Sequence, residues 1–488
     1  MTVLVIDIGS SSIRASEVSL VDLMPRFIAQ VPTKQLSPAP GIVEIDTVGL
    51  KRAILEVAEA AIADAGSRLE SIAIASQRAS AILWDKASNK CWPTGISWQD
   101  LRTASTCLMW RSQGLELAPN ETATKYVELL RTTEGQIAQP ALGTIDSFAV
   151  SVLTKGELHI SDITNAATTG LISYDGGGYD LQRIDKLGID HSFLPKLVEP
   201  KGTMGVATAL SRPLPITALI GDQQASMIGQ GCVTPGSAKL TLGTGAMLDL
   251  YVGEKRPGFE RKGEFGCFPI AIDRNDSVLT WGIEAIGLSA GSCIEWMASS
   301  FGLANSVEAS EAMSLRANPN DQSIFVPSLA GQGPPKWDFG ARGAFFGMGR
   351  GTGANELFQA AFRGIAHMSM DLLESAEADG NLEIQRLMVD GKMTTNSEMV
   401  KHLAAATGLP ILLSKSVEAT TLGAGLLGLI GMGELAGLDE VASLDLPATA
   451  IEVSEPRGSQ KQLHSRQAWR AARDETMGEI PALSMVSF

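Results

Sequence analysis

The sequence is poor in cysteine and has no long apolar run. Its five cysteines stand at positions 91, 107, 232, 267 and 293, and no two of them form a Cys-x-x-Cys pair. An odd number at such spacings supports neither a disulfide framework nor a zinc knuckle. The most apolar stretch, residues 422–432, is rich in glycine and far shorter than the ~20 residues that a membrane span requires. The first residues lack the basic segment of a signal peptide, so a cytoplasmic protein is expected.

Basic residues and histidines are scarce as well. The chain of 488 residues has 39 Lys and Arg against 54 Asp and Glu, which gives a formal net charge of −15. Because nucleic acids and acidic membrane surfaces are bound through basic faces, this balance argues against both partners. The five histidines are scattered and indicate no metal or triad site. A Gly-x-x-x-x-Gly-Lys-Ser/Thr sequence is absent, which excludes a Walker P-loop.

Strand and helix patterns alternate along the chain. Asp46 is predicted to cap a helix that ends at Gly66, and Asn396 to cap one that ends at Gly408. This alternation predicts an α/β protein with largely buried strands. Four short apolar runs predict those strands: residues 3–8, 71–75, 214–220 and 386–389.

Polar clusters at 76–78, 221–224 and 390–396 directly follow three of the predicted strands. In open α/β sheets, ligands bind outside the carboxyl ends of the strands. We therefore expect the three clusters to share one location, although each alone also fits an ordinary turn.

Two Gly/Ser/Thr turns, Gly9-Ser10-Ser11 and Gly243-Thr244-Gly245, lie about half the chain apart, each between two predicted strands. They predict two lobes that each open with a hairpin. Small turns of this kind aim backbone N–H groups at an anion, and glycine tolerates positive φ. Together the two tips are expected to hold one polyphosphate, whereas either alone fits a simple turn.

Several single residues have both a chemical and a structural interpretation. Asp222, at a strand end, suits a general base that accepts a hydroxyl proton, or a helix cap. Asp7, also at a strand end, suits a Mg²⁺ site or an ion pair with Arg14. Arg78 suits sugar hydroxyls or a structural ion pair, and Trp98 a substrate site or core packing.

Taken in chain order, these segments resemble the motifs of the FGGY carbohydrate kinases, most closely their glycerol kinase branch. Each match is short, but the matches stand in the family's order from residue 5 to about 430. The matching segments are 7–14, 76–78, 97–100, 221–224, 242–245 and 418–424.

The resemblance implies two actin-like (ribonuclease H-like) α/β lobes around a central cleft. It implies ATP and Mg²⁺ as cofactors and the hydroxyl of a small sugar or polyol as phosphoryl acceptor. The N-terminal lobe is expected over 1–232 and the C-terminal lobe over 233–452. The tail, 453–488, is expected to hold a surface helix docked through Leu463 and Trp469, and a homo-oligomer is left open.

The resemblance also assigns roles to single residues. Asp222 becomes the catalytic base, and Asp7 the carboxylate on the magnesium side. The residues expected to contact ATP are Gly9, Ser10, Ser11, Arg14, Gly243, Thr244, Gly245, Gly391 and Asn396. The residues expected to bind the sugar are Gln77, Arg78, Trp98, Gln223 and Asp222 itself.

Two positions depart from the family pattern. Ala79 replaces the Glu with which glycerol kinases hold glycerol, which implies a roomier pocket for a longer polyol or a ketose. Lys392 replaces a glycine in the adenosine loop, where its side chain either crowds adenosine or turns away. Two alternatives stay open at this point: a non-catalytic sugar-sensing pseudokinase, and an actin- or chaperone-like ATPase.

Overall fold

A computed structural model of the chain describes residues 1–415, 418–453 and 456–484. The chain forms two compact units. Unit 1 comprises Met1–Val233, Ile270–Thr280 and Glu418–Leu446, and unit 2 the described residues within the remainder. Unit 1 thus takes in two segments, 270–280 and 418–446, from beyond the predicted boundary at residue 232. The sequence-based domain limits stay a prediction.

Unit 1 is a mixed α/β structure. Its strands are β1 Thr2–Ile8, β2 Ser12–Ser19, β3 Arg26–Pro32, β4 Gln35–Leu36, β5 Glu44–Asp46, β6 Leu69–Ser76, β7 Ile82–Asp85, β8 Lys90–Cys91, β9 Thr94–Ile96, β10 Pro140–Gly143, β11 Ile160–Asp162, β12 Lys196–Val198, β13 Lys201–Val206 and β14 Pro215–Gly221. Its helices are α1 Thr47–Ala65, α2 Ala104–Ser112, α3 Thr122–Thr132, α4 Ile145–Leu153, α5 Ile163–Ala166, α6 Leu181–Lys186, α7 Asp222–Gly229, α12 Ala419–Gly431 and α13 Leu438–Ala442.

Unit 2 repeats this composition. Its strands are β15 Ser237–Leu242, β16 Ala246–Gly253, β17 Phe268–Asn275, β18 Val278–Gly287, β19 Ile324–Val326, β20 Ala344–Phe346, β21 Arg386–Asp390, β22 Ile411–Ser414 and β23 Ala448–Ile451. The hairpin of β17 and β18 crosses the unit limits, because its residues Ile270–Thr280 belong to unit 1. Its helices are α8 Gly291–Glu295, α9 Ala309–Ser314, α10 Ala354–Gly380, α11 Ser397–Thr407, α14 Gln460–Asp474 and α15 Pro481–Ser484.

The two main sheets share one topology. In unit 1 the strand order is β3-β2-β1-β6-β14-β13, and in the second sheet it is β17-β18-β16-β15-β21-β22-β23. In each, an opening antiparallel hairpin is followed by two strands that run parallel to its first strand. This repeat confirms the predicted two-lobe, ribonuclease H-like α/β fold.

The helix limits follow from local sequence. The Asp46 side chain accepts a hydrogen bond from a backbone N–H in the first turn of α1, and Gly66, at φ 55°, ends that helix. Asn396 caps α11 in the same way, and Gly408, at φ 62°, ends it. Side-chain oxygens satisfy the unpaired N–H groups of a first turn, and glycine tolerates the left-handed conformation at a helix end. Both predicted helices are confirmed.

Helices α7 and α12 of unit 1 approach each other closely because glycines line their contact. A Cβ atom at Gly423 would lie 1.8 Å from the carbonyl oxygen of Ala225, and one at Gly229 would lie 2.0 Å from that of Ala419. Only glycine fits at such distances. The glycine-rich run noted in the sequence is therefore a packing surface.

The C-terminal helix α14 packs against the rest of unit 2 through a buried side. Of the two predicted docking residues, only Trp469 lies on that side. Trp469 is 1% exposed and donates its indole N–H to a carbonyl of β19. Arg466 and Arg473 form ion pairs with Asp371 at 2.6 and 2.8 Å. Leu463 is 51% exposed, so its predicted docking role is wrong.

Two expectations about the whole chain can be compared with the described residues. The five cysteines are free, as predicted. Within the described parts of the chain, no helix is both long enough and apolar enough to cross a membrane. A cytoplasmic location stays a prediction.

Candidate active site

The carboxyl ends of three neighbouring parallel strands meet at one edge of the unit 1 sheet. Ile8 of β1 pairs with Ser76 of β6, and Ser76 pairs with Gly221 of β14. The polar clusters at 76–78 and 221–224 therefore lie side by side, as expected. The cluster at 390–396 follows β21, which pairs with β15 in the sheet of unit 2.

Asp222 stands where the chain leaves β14 and enters α7. Gly221 occupies the cap position, so the helix-cap interpretation of Asp222 is wrong. The Asp222 side chain is 31% exposed, and its Oδ1 atom accepts a hydrogen bond from the backbone N–H of Gln223 at 2.9 Å. Arg78 Nε lies 3.7 Å from the same oxygen. Arg78 is therefore in an ion pair, and its partner is the predicted catalytic base.

Asp7 lies at the end of β1 in an environment that disfavours its charge. Burial, reinforced by the negative charge of Asp222, raises the pKa of Asp7 to about 7, and Arg14 only partly opposes this. Arg14 Nη1 instead lies 2.9 Å from both carboxylate oxygens of Glu418. The sequence-based alternative, an Asp7–Arg14 ion pair, is replaced by an Arg14–Glu418 pair.

The residues around Asp7 fit a magnesium ion. The carboxyl groups of Asp7, Asp222 and Glu418 lie together with the guanidinium groups of Arg14 and Arg78. Among the described residues, no group of three or more His, Cys, Asp or Glu could hold a metal ion by itself. Mg²⁺ typically takes one or two carboxylates and completes its shell with waters and substrate phosphates. Asp7 and Asp222 suit that arrangement.

Ser10 connects two residues predicted to bind the sugar. Its hydroxyl donates a hydrogen bond to Gln77 Oε1 at 2.8 Å and accepts one from Trp98 Nε1 at 3.1 Å. Trp98 is 42% exposed, so the core-packing interpretation of this residue is wrong. Ser10 is predicted to contact ATP, and its hydroxyl is hydrogen-bonded to Gln77 and Trp98, two residues predicted to bind the sugar.

The two hairpin tips do not use positive φ. Gly9, Gly243 and Gly245 all lie outside the left-handed region, so that part of the expectation is wrong. At Gly9 a Cβ atom would meet only the Ser12 carbonyl oxygen, at 3.4 Å, and at Gly243 only the Gly245 oxygen, at 4.0 Å. Gly9 and Gly243 thus leave space beside their backbone, whereas a Cβ atom at Gly245 would lie 2.6 Å from the carbonyl oxygen of Gly287. Ser11 and Thr244 are exposed at these turns.

The ATP-side candidates of unit 2 surround the second tip. The carbonyl oxygens of Gly243 and Thr244 accept hydrogen bonds from backbone N–H groups of 290–292, at the start of α8. Gly391 has φ 97°, and a Cβ atom there would lie 2.4 Å from the carbonyl oxygen of Leu242. Its glycine is thus required by strand packing. Lys392 is exposed, and Asn396 is occupied in capping α11.

Sequence reasoning gave no individual role to two groups next to these residues. Glu418 was noticed only as part of a motif, because its partner Arg14 is distant in sequence. A buried network over 144–165 was missed entirely, although Asp162 followed by Thr164 and Asn165 is a recognisable helix-start pattern.

Family models match most of the chain. The model of the FGGY family of carbohydrate kinases, N-terminal domain, matches residues 2–229, and the model of its C-terminal domain matches residues 240–432.

Curated and solved proteins agree with these matches. A glycerol kinase of Trichlorobacter lovleyi is 33% identical over 88% of this chain and 90% of its own length. Glycerol kinase of Plasmodium falciparum, solved with ADP, matches with TM-score 0.88 and 23% identity over 100% of this chain and 99% of that one. A xylulose kinase of Brucella ovis matches with TM-score 0.85 and 24% identity, covering 99% of each chain. The two structural likenesses concern the fold.

The geometry of Ser10 leads to a prediction that separates it from its neighbour Ser11. Ser10→Ala should raise the KM for the sugar or polyol about three- to tenfold and leave the KM for ATP within about twofold, because one or two hydrogen bonds of ~0.5–1.5 kcal/mol are lost. Ser11→Ala, the matched control, should raise the KM for ATP and spare that for the sugar. Steady-state kinetics with each substrate varied in turn provides both values. Equal effects of the two changes on ATP would contradict the assignment of Ser10.

Proposed function

We propose that this chain, which belongs to the FGGY family of carbohydrate kinases, phosphorylates a polyol or ketose with more carbons than glycerol and uses Asp222 as the general base. It is a phosphotransferase with an alcohol group as acceptor, and it uses ATP with Mg²⁺. The observation that carries the proposal is the position of Asp222: partly exposed, at the carboxyl end of β14, beside Arg78.

The Asp222 carboxylate is suited to accept the proton of the attacking hydroxyl. Its Oδ1 atom is oriented by the Gln223 N–H and by Arg78, so the carboxylate is held in one direction before the substrate arrives. As the substrate oxygen attacks the γ-phosphorus of ATP, its proton passes to this carboxylate and the bond to ADP breaks.

The phosphate side is assigned to the two tips and to Arg14. Gly9 and Gly243 leave space for an anion, and Ser11 and Thr244 offer exposed hydroxyls beside them. Arg14 is held by Glu418 in a position from which it can neutralise phosphate. Asp7 is the residue we assign to the magnesium ion, together with Asp222. When bound, Mg²⁺ neutralises the charge that develops on the transferring phosphoryl group.

Ala79 supports a substrate longer than glycerol. It follows Arg78 directly, and the next residue, Ser80, accepts a hydrogen bond from the backbone N–H of Trp98 at 3.1 Å. Ala79 therefore lies between Arg78, which is predicted to bind the sugar, and Ser80, which contacts Trp98, and it carries no acceptor for hydroxyl groups. The chain has relatives named as glycerol kinases and a fold relative named as a xylulose kinase, so a polyol or ketose substrate lies within the range of these names.

The pseudokinase alternative has less support than the kinase. It drew on Ala79 and on Lys392, and Lys392 turns its side chain into an exposed position next to Gly391, whose backbone is fixed by β15. Asp222 and Asp7, the residues that we assign to the reaction, both lie at the carboxyl ends of strands in the unit 1 sheet, which supports the kinase.

One prediction of the proposed function concerns Asp222. Asp222→Asn is nearly isosteric and should retain ATP binding but lower kcat by roughly 10²–10⁴-fold, because an amide cannot accept the proton. Coupled ADP release gives kcat, and calorimetric titration gives the affinity for ATP. A variant that keeps more than about a tenth of the wild-type kcat would contradict the assigned base.

Another prediction of the proposed function concerns Ala79. Ala79→Glu should raise kcat/KM for glycerol about ten- to a hundredfold relative to the preferred longer substrate, because hydrogen bonds to a charged group contribute roughly 1.5–3 kcal/mol. Ala79 already adopts φ 60°, so the longer side chain adds no new backbone strain. Ala79→Gln has the same size without the charge and should give a smaller gain.

Kinetics of all three proteins with glycerol, erythritol, ribitol, xylitol and D-xylulose would decide the matter. If the wild type uses glycerol best, the argument from Ala79 is wrong. The role of Asp222 is tested separately, by Asp222→Asn.

A further inference from the structure

We propose that Thr164 is a positioning residue that fixes the catalytic Asp222 through a buried hydrogen-bond network, an inference that rests on the proposed role of Asp222. The network occupies residues 144–165 of unit 1, next to the ends of β6 and β14. Its members belong neither to the substrate-binding set nor to the ATP-binding set.

The network is built around two buried carboxylates. Asp146 and Asp162 are both 0% exposed. Asp146 accepts hydrogen bonds from the Thr144 hydroxyl, from Ser161 Oγ at 2.7 Å and from the Asp162 N–H at 3.2 Å. Asp162 accepts hydrogen bonds from the N–H of Thr164 at 2.7 Å and from its hydroxyl. Buried carboxylates that are satisfied in this way form a rigid polar core.

The hydroxyl of Thr164 connects this rigid network to the backbone next to Asp222. Because its single proton is donated to Asp162, the hydroxyl presents a lone pair, and the backbone N–H of Gly221 donates to it at 2.7 Å. Asp222 is the next residue. The network thus ends one peptide away from the predicted base.

A hydrogen bond matters at Gly221 because this residue has no side chain that could anchor it. Glycine has no side chain and more accessible conformations than any other residue. A Cβ atom at this position would lie 2.7 Å from Gln224 Oε1 and 2.8 Å from Arg78 Cδ, so a larger residue would displace the side chain of Arg78 beside Asp222. The orientation of Asp222 therefore depends on where the Gly221 N–H is bound.

A second branch of the network reaches the neighbouring strand. Asn165 Nδ2 donates to Asp162 at 2.6 Å, and its Oδ1 accepts a hydrogen bond from Ser76 Oγ at 3.3 Å. Ser76 precedes Gln77 and pairs with Gly221 in the sheet. The same buried core thus supports both strand ends that carry sugar-side residues.

The test compares threonines that differ in position but not in burial. Thr164→Val keeps the shape and removes the hydroxyl, whereas Thr164→Ser restores it. Thr217→Val is the matched control: Thr217 lies on the same strand β14, is 1% exposed, and shares a hydrogen bond of 3.0 Å with Ser71 Oγ away from the site. Each variant is measured for kcat, for both KM values and for thermal unfolding, with the best substrate among glycerol, erythritol, ribitol, xylitol and D-xylulose.

We expect Thr164→Val to lower kcat at least tenfold with the KM for ATP within about twofold, since a displacement of about 1 Å at a reacting group costs up to about a hundredfold. Thr164→Ser should stay within about threefold of wild type. Thr217→Val should lose a comparable amount of thermal stability and keep its kcat. A wild-type kcat in Thr164→Val, or an equal kcat loss in Thr217→Val, overturns the proposal.

If Thr164→Val does not yield folded protein, Thr164→Ser is compared with Thr164→Cys instead. The serine and cysteine side chains have the same shape, but the thiol is only a weak hydrogen-bond acceptor. The serine variant should then exceed the cysteine variant at least fivefold in kcat, and equal values overturn the proposal. Asp222→Asn is measured alongside. If it retains turnover, the proposed base is wrong and the positioning role fails with it. If it loses turnover while Thr164→Val does not, only the positioning role fails.

Discussion

The site depends on one electrostatic constraint: carboxylates must be held near one another at the end of a buried sheet. Asp7, Asp222 and Glu418 lie there together with Arg14 and Arg78. Burial raises the pKa of Asp7 to about 7, and the negative charges of Asp222 and Glu418 add to that effect. Such an arrangement persists only in a rigid frame, and it attracts a cation. A kinase that brings Mg²⁺ with its nucleotide supplies that cation when the substrate binds.

The frame is rigid for reasons visible in unit 1. Helix α7, which begins at Asp222, packs against α12 at backbone distance, and α12 begins directly after Glu418. The glycines at this contact, Gly229 and Gly423, leave no room for a side chain to loosen it. The hydroxyl of Thr420 also lies 3.4 Å from the backbone oxygen of Asp222. Two of the carboxylates are thus mounted on one pair of tightly packed helices.

The sequence allowed the strands, the helix limits and the charged residues at strand ends to be predicted because each depends on nearby residues. Asp46 capping α1 and Asp222 following β14 are of this kind. Partnerships across the chain were not predictable in the same way. Glu418 pairs with Arg14 across 404 positions, and Ser10 binds Trp98 across 88. No local pattern encodes such pairs, so residue types indicated the chemistry while the fold decided which groups meet.

The central claim is that this chain transfers the γ-phosphoryl group of ATP to a polyol or ketose. It is tested most directly by incubating the protein with γ-labelled ATP and Mg²⁺, with and without each sugar, and by following the label in the products. The account predicts that the label appears in a sugar phosphate in proportion to the ADP formed, and that little ADP forms without sugar. Label released as inorganic phosphate regardless of sugar would indicate an ATPase, and no ADP with any polyol or ketose would indicate a sugar sensor; either result would contradict the account.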